Sequence, residues 1–300
     1  MLKAKALHTY VCGAFFITTY VRGGDWMKTL IQNADWIITM DEQRRKIKHG
    51  DLVFEGKEII EIGNSLDKKY RDCRVINAAG KIVIPGFVNV HHHTWQSLVR
   101  NINVANGLKL EPWLKVVYEI FKEINTDVAR AGAYAGLGEL LKTGCTTSND
   151  LFYAHPVGVE KLIDAEIEAA AEMGIRFHPN RGVHSKASDI VPPELVGKTE
   201  TVIADAERLI HKYHSKERFS MCRVGIAPNM PQYETLEILE ESKKLAEKYD
   251  VMVHGHLAES VFETKYTLDT FGCTPARWFE KHGLLGKRFY YAHCVHLDTE

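Results

Sequence analysis

The sequence has no surplus of charge of either sign. Its 38 lysine and arginine residues are balanced by 39 aspartate and glutamate residues, which leaves a net charge of −1. A nucleic-acid-binding face needs clustered basic residues, and an acidic tail needs a run of like charges. The composition therefore indicates neither a nucleic-acid partner nor an acidic tail.

The sequence also has no C-x-x-C pair, and its six cysteines lie far apart. Closely spaced cysteines are typical of disulfide frameworks in secreted proteins and of zinc or redox motifs. The scattered pattern instead favours reduced thiols, and it predicts an intracellular, cytoplasmic protein. The six are Cys12, Cys73, Cys145, Cys222, Cys273 and Cys294.

No apolar run in the N-terminal region is long enough to cross a bilayer, which takes about 20 residues. Residues 10–21 are mildly apolar, but Thr18 and Thr19 interrupt them, Arg22 follows, and a small-residue cleavage site is missing. We therefore predict no membrane association. We expect residues 1–26 to be an extension without a role in the fold, and the structured domain to start at Met27.

Two patterns divide the rest of the chain. Residues 27–80 contain short apolar runs between glycine-containing turns, which predicts a small β-sandwich or sheet. From residue 81 to residue 300, strands alternate with helices, as is typical of parallel βα units. The runs of the first part are residues 29–34, 36–40, 51–55, 58–62 and 73–77. The predicted strands of the second part are residues 82–88, 146–150, 175–178, 221–227, 251–257 and 289–294. Its predicted helices are residues 126–141, 159–173, 200–213, 234–249 and 275–282.

The number of predicted βα units bears on the fold class. Eight units close a (β/α)8 barrel of the TIM type, and six are present. A barrel without two of its strands would expose two sheet edges and an unfilled core. We therefore expect an α/β protein with a barrel that is incomplete at the C-terminus, and a sequence that is a fragment of a longer one.

Consecutive histidines follow the first predicted barrel strand. Residues 81–84, of which 82–84 are β-branched, predict a strand buried on both faces, and residues 85–90 lead from it to His91, His92 and His93. Side chains alternate along an extended chain, so His91 and His93 share one face and His92 takes the other. Two imidazoles at one point suit a borderline cation such as zinc, which needs at least one more ligand.

A second pair of histidines ends the fifth predicted strand, at His254 and His256. Active sites of (β/α) barrels lie at the carboxyl ends of the strands, so a histidine there can meet His91 and His93. His256 lies nearer the strand end and is the better candidate for a metal ligand. His254 lies one layer deeper, and a packed core histidine is the alternative interpretation.

Two further residues at strand ends can transfer protons. Glu259 follows His256, at a position from which a carboxyl group can move a proton between a metal-bound water and a substrate atom. A glutamate favoured by a helix N-terminus is a compatible interpretation. His293 ends the sixth strand and is a candidate base or polariser of the water, whereas His296 is interpreted as a loop residue.

These motifs resemble those of the amidohydrolase superfamily, in the branch with s-triazine hydrolases, 8-oxoguanine deaminase and adenosine-type deaminases. The matching stretches are residues 85–100, 144–150, 254–259 and 292–297. The resemblance implies that His91, His93 and His256 bind one divalent metal ion, with zinc preferred and Fe²⁺ as the alternative. It implies that Glu259 is the general acid and base, and that His293 helps to activate water and to hold the tetrahedral intermediate. Relatives commonly form homo-oligomers, so the resemblance also implies one here.

The sequence departs from the family in one ligand. The family's fourth ligand is an aspartate at the end of the eighth strand, and Asp298 follows the sixth strand too closely to serve. The fourth predicted strand, residues 221–227, carries no lysine, which disfavours a carbamylated two-metal site. We therefore expect a mononuclear site with three imidazole ligands.

The predicted reaction follows from this ligand set. A divalent cation with an open position lowers the pKa of bound water to about 7, and the resulting hydroxide attacks a ring carbon that carries an amino group. Glu259 protonates a ring nitrogen and then the departing amine. Gln96 is a candidate substrate-binding residue. Trp95 and Trp113 are candidates to stack against the substrate ring. For Gln96 and both tryptophans, a role in structural packing is the alternative.

Two functions remain open. The first is a metal-dependent hydrolase that removes an amine from a cyclic amidine or N-heterocycle, such as an 8-oxoguanine- or s-triazine-like compound. The second is a catalytically incompetent fragment or a non-catalytic metal-binding barrel, because the final-strand aspartate is absent. The P-C-x-x-C of cytidine-type zinc deaminases and the H-E-x-x-H of zinc proteases are missing, which excludes those two classes.

Overall fold

The structure is a computed structural model that describes residues 8–11, 14–17 and 28–298. Strands β1 (His8–Val11) and β2 (Ala14–Ile17) form an antiparallel hairpin. Part of the predicted extension of residues 1–26 therefore has regular structure. The predicted domain start at Met27 lies outside the described residues.

The N-terminal sheet has five strands in the described residues. β4 pairs antiparallel with β3 and with β5, whereas β6 and β7 each pair parallel with β3. The two apolar runs predicted at residues 29–34 and 36–40 form one strand, because a register shift between Ile31 and Ala34 interrupts the pairing without ending it. The small β-sandwich or sheet that we expected is thus a single sheet. Its strands are β3 (Thr29–Ile38), β4 (Lys46–Glu55), β5 (Glu58–Gly63), β6 (Arg74–Asn77) and β7 (Ile82–Val83).

The strand predicted at residues 82–88 is two strands in the structure. Ile82–Val83 belongs to the N-terminal sheet, and only Phe87–Asn89 joins the barrel sheet. Pro85 has no backbone N–H to give to a ladder, and Pro85-Gly86 separates the two strands. The prediction of burial on both faces was wrong, because Ile82 is 59% exposed and Val88 is 63% exposed. Phe87–Asn89 is an edge strand of the barrel sheet, and its apolar side chains Phe87 and Val88 are exposed.

Six parallel strands form the second sheet. They follow one another in the sheet in their sequence order, and each pairs parallel with the next. This order confirms the prediction of six βα units of a (β/α)8 barrel. The strands are β8 (Phe87–Asn89), β9 (Cys145–Phe152), β10 (Arg176–Val183), β11 (Gly225–Pro228), β12 (Val253–Leu257) and β13 (Phe289–His293).

Seven α-helices accompany the barrel strands in the described residues. Asn125 caps the helix predicted at residues 126–141, since its side chain accepts hydrogen bonds from the backbone N–H groups of Asp127 and Val128 at 3.0 Å. Two of the seven, α1 and α6, were not predicted. None of the helices in the described part of the chain has the length and hydropathy that a membrane span needs. The helices are α1 (Leu110–Phe121), α2 (Thr126–Lys142), α3 (Leu162–Met173), α4 (Thr199–Tyr213), α5 (Leu236–Tyr249), α6 (Val261–Phe271) and α7 (Pro275–Lys281).

Helix α2 fixes the chain that follows the consecutive histidines. That chain is a 3₁₀ helix, Thr94–Val99, which packs on α2. A Cβ atom at Gly132 of α2 would lie 2.5 Å from the Cα atom of Trp95, so only glycine allows this approach. The side chain of Trp95 is 1% exposed and stacks on Phe152 with ring centroids 4.2 Å apart. The fold thus holds the residues after His93 against a rigid helix.

Candidate metal centre

Three histidine side chains meet at the carboxyl ends of the barrel strands. His91 and His93 come directly after β8, and His256 lies near the end of β12. One ring nitrogen from each lies within 4.8 Å of the others. The structure therefore brings together all three predicted ligands. His92 points away into the cleft beside α2, as the alternation of side chains requires.

The hydrogen bonds of His93 and His256 direct the same nitrogen of each ring into the centre. Nδ1 of His93 lies 2.7 Å from the carbonyl oxygen of Leu151, and Nδ1 of His256 contacts Oδ1 of Asn229. Because these oxygens only accept, each Nδ1 carries the proton and each Nε2 keeps its lone pair. The two Nε2 atoms lie 3.2 Å apart. Two lone pairs that face each other at this distance fit a shared cation between them.

The Nδ1 atom of His91 also has a hydrogen-bonding partner, but this partner is a histidine ring. Its Nδ1 lies 2.8 Å from Nε2 of His254, whose own Nδ1 lies 2.9 Å from the carbonyl oxygen of Tyr290. His254 is therefore not a ligand in this geometry, because both of its nitrogens have partners within the barrel. It lies behind His91 as a packed residue, the alternative that its position in the sequence left open.

Burial keeps the three imidazoles neutral. Desolvation and, to a smaller extent, the neighbouring histidines lower the pKa of His91 to about 2 and that of His93 to about 3. It lowers the pKa of His256 well below its usual value. Neutral imidazole is the form that binds a metal ion, so the donor set is in its ligating form throughout the neutral pH range.

Glu259 and His293 contact each other beside the three histidines. Oε1 of Glu259 lies 3.4 Å from Nε2 of His293. The His293 ring stacks on the His256 ring, with centroids 5.2 Å apart. Burial and, to a smaller extent, the nearby carboxyl groups of Glu263 and Glu111 raise the pKa of Glu259 to about 7. The structure thus places both predicted proton-transfer residues next to the three predicted metal ligands.

Gln96 and Trp113 line a cavity that adjoins the centre. The cavity has a volume of about 490 Å³, and His93 forms part of its wall, whereas Glu259 and His293 do not. The amide nitrogen of Gln96 donates to the hydroxyl oxygen of Tyr153 at 2.8 Å. Trp95, the other candidate stacking wall, is buried in the core, so for this residue the packing interpretation is the one that the structure shows.

Three residues of the centre were not found in the sequence. Asn229 holds His256 and comes directly after β11, and Tyr153 holds Gln96 and comes directly after β9. Their position just past a parallel strand was a usable signal. Glu111 lies on the unpredicted helix α1 and accepts a hydrogen bond from Oγ of Ser260 at 3.0 Å. No sequence signal connects it to Glu259.

A buried carboxyl pair anchors the chain next to His93. The backbone N–H of Thr94 donates to Oδ1 of Asp150 at 2.6 Å, and the Thr94 hydroxyl donates to Oε1 of Glu166. Both carboxyl groups are fully buried. Burial raises the pKa of Asp150 to about 8 and that of Glu166 well above its usual value, the latter also through the charge of Asp150.

Comparison with known proteins gives consistent matches along the barrel. The model of the amidohydrolase family matches residues 82–300. The 8-oxoguanine deaminase of Pseudomonas aeruginosa is 34% identical over 84% of this chain and 57% of its own length. The hydroxydechloroatrazine ethylaminohydrolase of Pseudomonas sp. strain ADP is 32% identical over 81% of this chain and 53% of its own length.

A solved structure matches the fold as well as the sequence. The crystal structure of an atrazine chlorohydrolase from Arthrobacter aurescens TC1, complexed with zinc, superposes with a TM-score of 0.83 at 30% identity. The match covers 89% of this chain and 61% of that chain. The chain thus spans about half to three fifths of the length of these proteins.

Proposed function

Because the chain belongs to the amidohydrolase family, we propose that the protein hydrolyses a carbon–nitrogen bond of a small N-heterocyclic compound and releases an amine or ammonia. The observation that carries this proposal is the geometry of three neutral imidazoles, at His91, His93 and His256, beside a carboxyl group that titrates near neutral pH. The names of the two curated relatives, a deaminase and an ethylaminohydrolase, support the class of reaction.

The proposed cofactor is one divalent metal ion on His91, His93 and His256. Zinc is the first choice, since the imidazole donor set suits it and a structural neighbour was crystallised with zinc. Fe²⁺ is the alternative. When bound, the ion supplies Lewis-acid activation of a water molecule.

The proposed role of Glu259 is to carry a proton between water and substrate. Since its pKa lies at about 7, its carboxyl group can take up and release a proton at neutral pH. His293 lies within 3.4 Å of Oε1 of Glu259 and keeps one side of that carboxyl group in contact with a neutral imidazole. Both groups are in place for proton transfer before a substrate enters.

The proposed substrate is a purine-like or triazine-like ring with an amino substituent. The cavity of about 490 Å³ next to His93 lies in the range that small-molecule sites occupy. Gln96 supplies an amide and Trp113 an indole surface to its wall, which suit the edge and the face of a heterocycle. We propose Gln96 as a substrate-binding residue on this basis.

A second candidate function is a metal-binding barrel without turnover. In the part of the chain that the structure describes, the ligand group consists of imidazoles and contains no carboxylate. A site without a carboxylate ligand has one less negative charge to help deprotonate the activated water. This candidate predicts metal uptake without hydrolysis.

Activity and metal content together decide between the two functions. The zinc-loaded protein is incubated with aminopurines, aminopyrimidines and amino-s-triazines, and ammonia or amine release is measured. We expect release by the unmodified protein and a loss of about 10²- to 10⁴-fold in Glu259→Gln, the usual contribution of a general acid and base, with zinc retained. The control is Glu247→Gln on the exposed face of α5, which should match the unmodified protein. Zinc binding without release from any compound would contradict the hydrolase and favour the metal-binding barrel.

Two further properties belong to the proposal. We propose a cytoplasmic location, which the free state of the five cysteines in the described residues supports. We also propose a homo-oligomer, which light scattering of the purified protein tests directly.

A further inference from the structure

His254 is the most deeply placed of the histidines that surround the centre. It lies in β12, two residues before the ligand His256, and is 1% exposed. Its ring stacks on the ring of Tyr290 in the neighbouring strand β13, with centroids 4.1 Å apart and an interplanar angle of 10°. The ring therefore has one well-defined orientation inside the barrel.

The hydrogen bonds of His254 fix the position of two protons. The carbonyl oxygen of Tyr290 only accepts, so Nδ1 of His254 must donate to it across 2.9 Å. In the neutral ring, Nε2 of His254 is then an acceptor. Nδ1 of His91 faces that atom at 2.8 Å and must be the donor. His91 is left with its lone pair on Nε2, the atom that faces the centre.

His91 differs from the other two ligands in the kind of group that accepts its Nδ1 proton. The Nδ1 protons of His93 and His256 are accepted by the oxygens of a backbone carbonyl and an amide, which cannot donate. An imidazole can donate or accept through the same nitrogen, so the tautomer of His91 depends on the tautomer of His254. The Tyr290 carbonyl thus determines, through His254, which nitrogen of His91 is free.

We propose that His254 is a positioning residue that holds His91 in its ligating tautomer and orientation. The inference rests on the metal site of the proposed function and goes beyond it, because His254 touches neither the ion nor the substrate. Partners of this kind typically change metal affinity by about 10- to 100-fold when they are removed. The effect should appear in binding, independently of any turnover.

The test is the zinc affinity of three variants, measured by competition with a chromophoric chelator. His254→Leu removes the acceptor, and we expect its affinity to fall about 10- to 100-fold. His254→Gln places an amide oxygen near the former Nε2 position, and we expect it to recover most of that loss. The control is His178→Leu, which removes another, half-buried imidazole that packs near Tyr290 but contacts none of the three ligands. We expect its affinity to match that of the unmodified protein.

The outcomes separate this inference from the metal site itself. Zinc binding by His254→Leu as tight as that of the unmodified protein would overturn the role of His254 and leave the metal site intact. An equal loss in His178→Leu would also overturn it, since the effect would then reflect the packing of the barrel interior. Absence of zinc binding by the unmodified protein would overturn the metal site and this inference with it.

A spectroscopic measurement covers the case in which His254→Leu does not fold. The imidazole ¹⁵N spectrum of the unmodified, metal-free protein reports the protonated nitrogen of each histidine. A proton on Nδ1 of His91 supports the inference. A proton on Nε2 of His91 overturns it.

Discussion

The groups immediately around Glu259 determine the pKa of its carboxyl group. The carboxyl group of Glu263 accepts hydrogen bonds from the backbone N–H groups of Ala258 and Glu259, at 3.1 and 2.8 Å. That carboxyl group is therefore fixed close to the side chain of Glu259, and Glu111 approaches from α1. Burial is the main cause of the raised pKa of Glu259, and these like charges add to it. A carboxyl group with this pKa is suited to proton transfer near pH 7.

The raised pKa predicts a pH-dependent gain in stability for Glu259→Gln. The pKa of Glu259 is about 7 in the folded protein and 4.5 ordinarily. The folded state therefore holds this proton more tightly, and its stability falls as pH rises from 4.5 to 7. At about 1.4 kcal/mol per pKa unit, ionised Glu259 lowers the free energy of unfolding by about 3 kcal/mol above pH 7. We expect metal-free Glu259→Gln to be more stable by about that amount at pH 8, and to lose the advantage near pH 4.5.

Urea unfolding of the metal-free proteins at pH 8 and pH 4.5 measures this difference. Glu247→Gln, an exposed glutamate on α5, is the control and should show no pH-dependent change. A gain of the same size at both pH values would show that the carboxyl group of Glu259 does not titrate near pH 7.

Residues whose role follows from their position at the carboxyl end of a strand could be predicted from the sequence. His91, His93, His256, Glu259 and His293 were all selected in this way, and the structure places them together. Residues whose role depends on a contact between distant side chains could not. Glu111 acts through such a contact, since its hydrogen-bonding partner Ser260 is 149 residues away in the sequence.

At the scale of elements, the packing of α2 on the 3₁₀ helix Thr94–Val99 positions His93, one of the proposed metal ligands. The closest approach is at Gly132, where a Cβ atom would overlap the backbone of Trp95. Gly138 lies in the same helix, and a Cβ atom there would make only an ordinary contact at 3.9 Å with Sδ of Met173. The two glycines thus separate the effect of close packing from the effect of helix propensity.

We predict opposite effects of alanine at these two positions. Gly132→Ala should destabilise the protein by about 1 to 3 kcal/mol, because it forces the backbone after His93 to move. It should also weaken zinc binding. Gly138→Ala should stabilise the protein by up to about 1 kcal/mol, since alanine is the better helix former. Urea unfolding of both variants tests this, and equal changes in the two would contradict the proposed contact.

The elements themselves were predictable to different degrees. The strands and helices of the six βα units follow local patterns of apolar residues and caps, such as the Asn125 cap of α2. The split at Pro85-Gly86 was missed because the apolar run on either side is continuous, although each half pairs with a different sheet. Helix α6 was missed even though Ser260 caps its start, where the Ser260 hydroxyl accepts a hydrogen bond from the backbone N–H of Glu263 at 3.3 Å.

At the scale of the whole molecule, the barrel interior holds an unusual number of neutral imidazoles. Eight of the histidines whose pKa is lowered in the described residues are buried or half-buried, and burial is the main cause of the shift for each. Five buried carboxyl groups have a raised pKa, again mainly through burial. The histidines are His91, His92, His93, His155, His178, His184, His254 and His256. The carboxyl groups are Asp150, Glu166, Glu234, Glu259 and Glu263.

This balance predicts unfolding in mild acid. Below pH 6.5 the unfolded chain protonates its imidazoles while the folded protein keeps the buried ones neutral, so stability falls as pH falls. The raised pKa values of the buried carboxyl groups act in the opposite direction, but these groups are fewer than the histidines, so we expect the chain to take up protons when it unfolds. With a typical stability of about 5 to 15 kcal/mol, we expect an unfolding transition between about pH 6 and pH 4. Far-UV circular dichroism of the metal-free protein measures it, and a native spectrum at pH 3.5 would contradict the prediction.

The metal content of the purified protein tests the central claim most directly. After zinc loading and removal of free metal, elemental analysis should give about one zinc per chain for the unmodified protein. His91→Ala and His256→Ala should each lose most of it. His211→Ala, which replaces an exposed histidine on α4, should retain it. An unmodified protein without zinc, or a His256→Ala variant that binds it as well as the unmodified protein does, would contradict a metal centre on His91, His93 and His256.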